Sequence, residues 1–417
     1  MGQTIIEKIF SKHADHAVTA GEVVFIAIDS RTARDFGGAN VVKNYEREYG
    51  DVPVDDAGKT FFTFDCVVPA KTIPYANNQQ TCREWAAKQG VTVYDVKEGI
   101  GSHLAIENGL AWPGSTFVGT DSHLNILGSI GAFGQGMGDV DIAFIFKTGK
   151  TWFEVPQTMR ITITGDLKYP ATAKDLTLAI VKHLGAGGAL GKAIEFRGPA
   201  IDNLPLDGRI TLSSMVTEMG GIIGFIPPSP EITAMFEKKL GRPLDFAPAD
   251  TDAHYCQDIT IDISGLVQQL SRPGHPDDVV EVSELAGKPI VSVFIGSCTN
   301  GRYSDIKAVY DLVKGRRIQN HVVANIVPST RNVYRRLLKE GILEGLFDAG
   351  FNISNPGCGG CASGQIGMTG SGEVSISTSN RNFKGKQGNG EVFLASPVTA
   401  ALAALHGKIS AFQGESS

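Results

Sequence analysis

Short apolar runs alternate with amphipathic stretches along most of the chain, and this alternation strongly restricts the fold. Runs of β-branched and aromatic residues predict strands, whereas apolar residues at helical spacing predict helices. Alternation of the two is typical of layered α/β folds with parallel sheets. The predicted strands cover residues 22–28, 61–68, 115–120, 159–165, 289–296 and 321–328, and the predicted helices cover residues 79–89, 173–184, 303–314, 330–344 and 397–412.

The length of the chain and two breaks in the pattern predict several domains. A chain of 417 residues suggests about three domains by the usual length relation. One break precedes the strand predicted from residue 159, and the other is the polar, proline-bearing segment SRPGHPDD at 271–278. We therefore predict three layered α/β domains, at residues 1–157, 158–285 and 286–417.

Composition narrows the class of protein. Six cysteines in 417 residues are too few for a disulfide-stapled secreted scaffold and are typical of a reducing compartment. The opening segment MGQTIIEKIFSKHADH carries charges where a signal peptide needs an apolar core, and no stretch is long enough to span a bilayer. A formal charge of -6 without a Lys/Arg-rich run gives no electrostatic basis for nucleic-acid binding. We expect a cytoplasmic protein that binds neither nucleic acid nor a membrane.

Three of the cysteines lie in two glycine-rich segments. Cys298 follows a predicted strand in FIGSCTNGRYSDI, and Cys358 and Cys361 follow about sixty residues later in NPGCGGCASGQIG. Three thiolates can hold three irons of a 4Fe-4S cluster and leave the fourth iron open, where it acts as a Lewis acid. The position after a strand and before a helix is also where open α/β sheets build ligand sites.

Spacing alone leaves other interpretations of these cysteines open. A zinc site could be completed by His254 or Cys256, both in the segment DAHYC, and the Cys-Gly-Gly-Cys turn could be redox-active. The glycine-dense stretches at 128–141 and 183–193 match no dinucleotide or phosphate-loop pattern. For these stretches we favour tight packing over nucleotide binding.

Three segments resemble the signature segments of the aconitase superfamily. The likeness extends over nearly the whole chain, and the length is similar to that of the large subunits of 3-isopropylmalate dehydratase and of prokaryotic homoaconitases, which lack the fourth, swivelling domain. The resemblance implies α/β domains around a central 4Fe-4S cluster held by Cys298, Cys358 and Cys361. The segments are FIGSCTNGRYSDI, NPGCGGCASGQIGMTGSGEVSISTSNRNFKG and VGTDSHLNILGSIGAFGQGMGDVDIA.

The resemblance also implies a reaction and a partner. In the family the open iron binds the hydroxyl and a carboxylate of a small hydroxylated di- or tricarboxylic acid, a base removes a proton, and water leaves and adds back at the neighbouring carbon. The substrate would be 3-isopropylmalate, homocitrate or a relative of these, as in amino-acid biosynthesis. The base is a serine of the swivelling domain, so we expect a separate small subunit of the isopropylmalate dehydratase type and little activity from this chain alone.

The motif Asp-Ser-His of the family falls on Asp121 and His123, which the resemblance makes catalytic, and on Ser122, which it places in substrate binding. The resemblance pairs His123 with Glu218, in TLSSMVTEMGG, beside the iron-bound water. A carboxylate fixes the tautomer of an imidazole and raises its basicity, so the pair makes chemical sense. The alternative for His123 is a hydrogen-bonded core histidine.

Further roles are implied for the segment STSNRNFKGKQ. Asn380 and Arg381 match residues that contact cluster and substrate, and Lys386 stands where the family has a second substrate-binding arginine. A guanidinium grips a carboxylate with two hydrogen bonds, although a surface charge is the alternative for Arg381. Asp65 and His103 complete the predicted catalytic set.

Five positions depart from the family's pattern. Lysine and arginine are not equivalent at a carboxylate site, so Lys386 alone could change specificity. The departures are Cys66 for a histidine credited with helping the hydroxyl to leave, Ser102 for a histidine with His103 one residue away, Ser214 for an asparagine, Asp29 for Gln or His, and Lys386 for an arginine.

These departures leave three classes of function open. The chain is predicted to be a hydro-lyase large subunit, with either a familiar or an altered hydroxy-acid substrate. The second class is a cluster-bearing sensor without turnover, and the third is a structural subunit stapled by zinc.

Overall fold

The computed structural model describes residues 2–362 and 366–413. The chain divides into two compact units, the first formed by residues 1–164 and 187–261 and the second by residues 165–186 and 262–417. The finer division into three domains stays a prediction. Within the described ranges, no helix is both long and apolar enough to cross a bilayer.

Strands and helices alternate, as expected for the α/β class. The strands are β1 (Val23–Ala27), β2 (Ser30–Arg34), β3 (Thr60–Thr63), β4 (Thr92–Tyr94), β5 (Thr116–Gly119), β6 (Phe133–Gly136), β7 (Lys150–Glu154), β8 (Thr158–Thr164), β9 (Ala193–Arg197), β10 (Ile223–Phe225), β11 (Gln257–Asp262), β12 (Gln269–Ser271), β13 (Val279–Glu281), β14 (Ser292–Ile295), β15 (Val323–Ile326), β16 (Asn352–Ile353), β17 (Val374–Ser377) and β18 (Glu391–Ala395). The α-helices are α1 (Ile5–His13), α2 (Gly38–Tyr49), α3 (Ile73–Gln89), α4 (Gly101–Asn108), α5 (Asp139–Thr148), α6 (Ala173–Leu184), α7 (Pro199–Asp202), α8 (Leu206–Ser214), α9 (Pro230–Leu240), α10 (Ser297–Asn300), α11 (Tyr303–Val313), α12 (Arg331–Lys339), α13 (Ile342–Asp348) and α14 (Pro397–His406).

The first unit contains a five-stranded sheet in the order β4-β3-β2-β5-β6, in which all neighbouring strands are parallel. A four-stranded sheet, β10-β9-β8-β11, and the antiparallel pair β1-β7 accompany it. Parallel sheets are covered on both faces by their crossover helices. The core beside the five-stranded sheet contains packed aromatic rings. Phe62 packs edge-on against Trp85 and against Phe146.

The carboxyl ends of three neighbouring strands of this sheet carry charged residues. β2 ends at Arg34, β3 is followed by Asp65, and β5 is followed by Asp121. Because these strands are parallel and adjacent, their ends meet at one edge of the sheet. The polar residues of the first unit are therefore gathered at the carboxyl ends of these strands.

The second unit contains a seven-stranded sheet in the order β13-β12-β18-β17-β14-β15-β16. β12 is antiparallel to both of its neighbours, whereas the strands from β18 to β16 pair in parallel. In the pairing of β14 with β17, Phe294 lies opposite Ser377. The segments that follow these two strands therefore leave the sheet side by side, and they carry Cys298 and Asn380.

Glycine explains two differences from the predicted helices. The single helix predicted over 330–344 is wrong, because Gly341 adopts φ +70° and separates α12 from α13. The last helix ends at His406 rather than near residue 412, because Gly407 at φ +67° caps it in the left-handed conformation. The predicted layered α/β class is confirmed.

Candidate functional site

In the first unit, Arg34 binds two buried carboxylates. Its Nε donates to Asp65 Oδ1 at 2.7 Å, and its Nη1 donates to Asp121 Oδ1 at 2.9 Å. Both aspartates are almost fully buried, at 0% and 3% exposure. We call Arg34, Asp35, Asp65 and Asp121 the carboxylate cluster.

Within this cluster, Asp35 binds backbone N–H groups of the segment that carries Asp65. Its carboxylate accepts hydrogen bonds from the N–H groups of Asp65, Cys66 and Val67 at 3.0 to 3.1 Å, and from Gln79 Nε2 at 3.2 Å. These bonds fix the turn after β3, which is why the strand predicted over 61–68 ends at Thr63. This turn thereby orients the side chain of Asp65.

Burial raises the pKa of Asp65 to about 6, with Asp35 and Asp121 adding repulsion and Arg34 opposing it. The N–H of Gly101 donates to Asp65 Oδ2 at 2.7 Å and also favours the charged form. Asp65 is therefore poised to take up or release a proton near pH 6.

The pKa of Asp121 is shifted in the opposite direction. Burial disfavours its charged form, but the charges of Arg34 and His123, the N–H of His123 and the charge of His103 together outweigh burial and lower the pKa. The His123 N–H donates to Asp121 Oδ1 at 3.0 Å. Two carboxylates bound to one guanidinium are thus separated in pKa, an arrangement that gives one group the role of acid and the other that of a fixed anion.

The predicted pair of His123 and Glu218 is brought together in the first unit. His123 Nε2 lies 3.3 Å from Glu218 Oε1, and Ser122 Oγ lies 3.2 Å from His123 Nδ1. With the proton on Nε2 donated to Glu218, Nδ1 accepts from the Ser122 hydroxyl. The glutamate thereby selects the tautomer of the imidazole.

The departures from the family's pattern have different surroundings in the first unit. The Cys66 thiol is buried and donates to Asp65 Oδ1 at 3.5 Å, and the buried Ser214 hydroxyl donates to the carbonyl of Thr211 at 2.8 Å. Ser102 and His103 are both buried on α4, and in the part of the chain that the structure describes Ser102 Oγ has no hydrogen-bond partner.

Asp29 lies at the amino end of β2, the opposite end from Arg34. Its Oδ2 is 2.7 Å from His13 Nε2 and accepts the N–H of Thr116 at 3.0 Å. Burial opposes ionisation, but these two contacts prevail and lower the pKa of Asp29. This carboxylate therefore links His13, the last residue of α1, to Thr116, the first residue of β5.

In the second unit, two of the three cysteines predicted to bind a cluster lie beside one amide side chain. Asn380 Oδ1 is 3.4 Å from Cys298 Sγ and 3.8 Å from Cys361 Sγ. Cys358 lies in the same tight turn as Cys361, whose N–H donates to the Cys358 carbonyl at 3.3 Å. We call Cys298, Cys358, Cys361 and Asn380 the thiol cluster.

Two backbone features aim these thiols. Ser297 directly precedes Cys298 and has φ +72°, a left-handed conformation that is strained for a residue with a side chain. Gly359, between the two later cysteines, has φ +55°, and a Cβ there would stand 2.8 Å from Val327 Cγ2 and 2.9 Å from the Phe294 ring. Glycine is required at this position because the turn packs directly on the sheet residues.

Charges near Cys361 differ in sign. Burial raises the pKa of its thiol, Lys386 and Arg381 lower it, and Cys358 raises it. The predicted substrate-binding cations Arg381 and Lys386 therefore lie close enough to Cys361, a member of the thiol cluster, to influence its thiol electrostatically. A site with clustered thiols and two nearby cations favours a negatively charged complex.

The donor set fits an iron-sulfur cluster. All six cysteines of the chain are free thiols, and three of them converge here. Soft thiolate ligands suit iron-sulfur clusters, and three thiolates leave one iron of a 4Fe-4S cube available. Cys256 and His254, the alternatives for completing a zinc site, belong to the first unit and line a cavity of about 260 Å³ with Gln3 and Thr158.

Sequence reasoning missed Arg34 and Asp35. Their strand, β2, has the sequence SRTAR and lacks the apolar run that marked the other strands. The available signal was the adjacent pair of opposite charges before a glycine-rich helix start, which is weak by itself. Asp65, Asp121, His123 and Glu218 were found because they lie in recognisable motifs.

Comparisons with known proteins agree with these features. The family model described as aconitase family (aconitate hydratase) matches residues 7–289 and 283–407. The 3-isopropylmalate dehydratase large subunit 1 of Archaeoglobus fulgidus is 39% identical over 415 residues, which is 98% of this chain and 99% of that protein. Its counterpart in Methanopyrus kandleri is 40% identical over 416 residues, with the same two coverages.

A further relative and one solved structure extend the comparison. The 3-isopropylmalate dehydratase large subunit 1 of Thermotoga maritima is 39% identical over 416 residues, covering 98% of this chain and 99% of that protein. The crystal structure of Thermococcus kodakaraensis aconitase X in its holo-form has a TM-score of 0.53 at 14% identity and covers 91% of this chain and 89% of that chain. At this identity the structural likeness shows the fold.

Proposed function

The chain belongs to the aconitase family, and from that premise we propose that it is the large subunit of a 4Fe-4S-dependent hydro-lyase of the 3-isopropylmalate dehydratase type. The observation that carries this proposal is the thiol cluster, in which one amide oxygen lies between Cys298 and Cys361 while Cys358 shares the turn of Cys361. Cys298, Cys358 and Cys361 would hold the metal group. Such a group supplies a Lewis-acidic iron to which a hydroxyl and a carboxylate can bind.

Cations of the second unit would bind the substrate. Arg381 offers a planar fork of N–H donors that matches a carboxylate, and Lys386 offers a single ammonium. Burial raises the pKa of the Cys361 thiol, and both cations lie near enough to oppose that rise. A small hydroxylated di- or tricarboxylic acid has the negative charges that these groups require.

Groups of the first unit would handle protons. Glu218 orients the His123 imidazole, and Ser122 contacts the other ring nitrogen. Asp65, with a pKa of about 6, can donate or accept a proton near neutral pH, whereas Arg34 keeps Asp121 charged. These residues therefore provide a titratable acid, an oriented imidazole and a fixed anion, but not the base that removes the substrate proton.

The relatives are named as large subunits, which supports a small-subunit partner for this chain. We propose a small subunit of the isopropylmalate dehydratase type, which would supply the missing base, and a cytoplasmic location, where free thiols and an iron-sulfur cluster are maintained. The small hydroxy acid would be 3-isopropylmalate or a homocitrate-like compound.

Two side chains favour an altered substrate as the second candidate. The Cys66 thiol hydrogen-bonds to Asp65, where relatives are expected to carry a histidine, and Lys386 replaces a forked donor by a single one. The reference pKa of a thiol lies above that of an imidazolium, so a thiol is in general the weaker acid. A hydroxy acid with a different leaving position or fewer carboxylate contacts would accommodate both changes.

One experiment tests the proposal in two stages. Protein purified without oxygen should contain about four irons and four sulfides per chain and absorb as a brown chromophore. After co-expression with a small subunit of the isopropylmalate dehydratase type, it should dehydrate at least one member of a panel of malate and citrate derivatives. Colourless protein loaded with zinc would overturn the cluster, and iron-loaded protein without turnover on the panel would overturn the hydro-lyase.

A further inference from the structure

A fully buried lysine of the second unit has no role in the site described so far. Lys174 lies in the first turn of α6 and is 0% exposed. Lysines are almost never fully buried without a specific partner, because desolvation of the ammonium is costly. The Lys174 Nζ donates to the carbonyl of Ser379 at 2.8 Å and to the carbonyl of Thr378 at 3.4 Å.

The side chain of Ser379 is fixed as well as its carbonyl. Its hydroxyl lies 2.8 Å from Ser377 Oγ and donates to Gln387 Oε1 at 3.0 Å, and its N–H donates to Ser377 Oγ at 3.2 Å. Ser377 and Ser379 are 0% exposed and Gln387 is 2% exposed. Lys174 and these two side chains therefore hold Ser379 from several directions inside the unit.

The carbonyl that Lys174 binds belongs to the peptide group that Ser379 shares with Asn380. The other end of this planar group, the Asn380 N–H, favours the ionised form of the Cys361 thiol and opposes the rise of its pKa that burial causes. The Asn380 side chain meets Cys298 and Cys361 through Oδ1, at 3.4 Å and 3.8 Å. A single peptide group thus connects the buried ammonium to a cysteine of the thiol cluster.

Hydrogen bonds in series polarise one another, so an ammonium on the carbonyl strengthens the donor at the opposite end of the peptide group. Donors to cysteinyl sulfur and nearby positive charge both stabilise the more reduced, more negative state of an iron-sulfur cluster. We propose that Lys174 is a positioning residue that fixes the Ser379–Asn380 peptide group against Cys361 and raises the reduction potential of the bound cluster. The effect on the reduction potential rests on the proposed function, because it requires a bound cluster. The effect on the Ser379–Asn380 peptide group requires no metal and rests on the geometry alone.

The test compares Lys174→Met with Lys182→Met, a substitution of an exposed lysine on the same helix. In the metal-free protein, hydrogen exchange of the Asn380 amide should be about tenfold faster in Lys174→Met, the effect of losing about one net hydrogen bond, and unchanged in the control. In the reconstituted protein, the midpoint potential followed by EPR should shift to more negative values in Lys174→Met alone.

Lys174→Gln is the second variant, because it keeps N–H donors and removes the charge. It should shift the potential in the same direction with less effect on exchange, and it carries the test if Lys174→Met does not fold. Equal potentials in the wild type and both Lys174 variants would overturn the inference. A wild type that binds no cluster would refute the proposed function instead, and unchanged exchange at Asn380 in the metal-free variant would then still overturn the role of Lys174.

Discussion

The carboxylate cluster of the first unit and the thiol cluster of the second differ in what holds them together. Arg34 and Asp35 tie the carboxylate cluster with charged hydrogen bonds of 2.7 to 3.1 Å. The thiol cluster is joined through Asn380 by contacts of 3.4 and 3.8 Å, which are weak for sulfur donors. The first cluster is assembled by its own bonding, whereas the second has the composition of a site completed by metal.

The largest effect expected from this comparison follows from removing one thiol. Cys361→Ser should abolish the brown chromophore and most of the bound iron, because a hydroxyl is a poor substitute for a thiolate ligand of iron. The control is Cys256→Ser, an exposed cysteine of the first unit, which should keep both. Iron and sulfide analysis with visible absorption measures the outcome. Full iron content in Cys361→Ser would show that the thiol cluster is not the metal site.

The next effect concerns the carboxylate cluster. Arg34→Met should lower the free energy of unfolding of the metal-free protein by about 3–5 kcal/mol, because it leaves buried carboxylates without their cation. The matched control is Arg160→Met, which breaks an exposed pair with Asp258 and should cost about 1 kcal/mol or less. Urea denaturation of both variants distinguishes them. Equal losses would mean that Arg34 is not the element that balances the cluster.

The two clusters also differ in how far the sequence predicted them. The cysteines lie in short motifs whose spacing suggests a metal or redox site, and the resemblance of these segments to the aconitase superfamily implies both the cluster and the role of Asn380. Arg34 and Asp35 were missed because β2 lacks an apolar run and because their partners are distant in the sequence. For Lys174 the sequence predicts only a place in an amphipathic helix, because no local pattern shows that its ammonium meets a carbonyl about two hundred residues away.

The fold, too, was predictable where it depends on local sequence and less so elsewhere. Alternation of apolar and amphipathic segments predicted the α/β class and most helices, because burial of one face is a local property of the sequence. The break at Gly341 and the early end of the last helix depended on left-handed glycines, which a helical pattern does not reveal. The roles of the individual site residues stay predictions that the mutations here address.

A smaller effect is expected from the pH dependence of stability. The pKa of Asp65 is raised by burial to about 6 in the folded chain, above the ordinary value of an aspartate, so the folded state binds the proton more tightly. This group therefore contributes stability that is present at low pH and decreases as the pH rises from about 4 to 6, by about 3 kcal/mol. Burial shifts the pKa of Asp175 in the second unit in the same way, also to about 6.

Asp65→Asn should thus remove about half of the loss of stability that these two groups cause between pH 4 and 6. Urea denaturation of the metal-free wild type and variant across this range gives the difference between the two curves. Asp175→Asn is the matched control from the other unit and should remove the other half. Parallel curves for the wild type and Asp65→Asn would show that Asp65 titrates as an ordinary carboxyl group.

The smallest change in stability is expected at Ser122, beside the carboxylate cluster. Its side chain is exposed and its hydroxyl contacts His123 Nδ1 at 3.2 Å. Ser122→Ala should change the free energy of unfolding by about 0.5 kcal/mol or less, because an exposed hydroxyl contributes little. In the complex with the small subunit it should lower kcat/KM only a few-fold, because Glu218 still fixes the imidazole, whereas Glu218→Gln should lower it far more. Steady-state kinetics of the two variants compare the contact at Nδ1 of His123 with the contact at Nε2. A larger loss of kcat/KM in Ser122→Ala than in Glu218→Gln would show that the serine orients the imidazole.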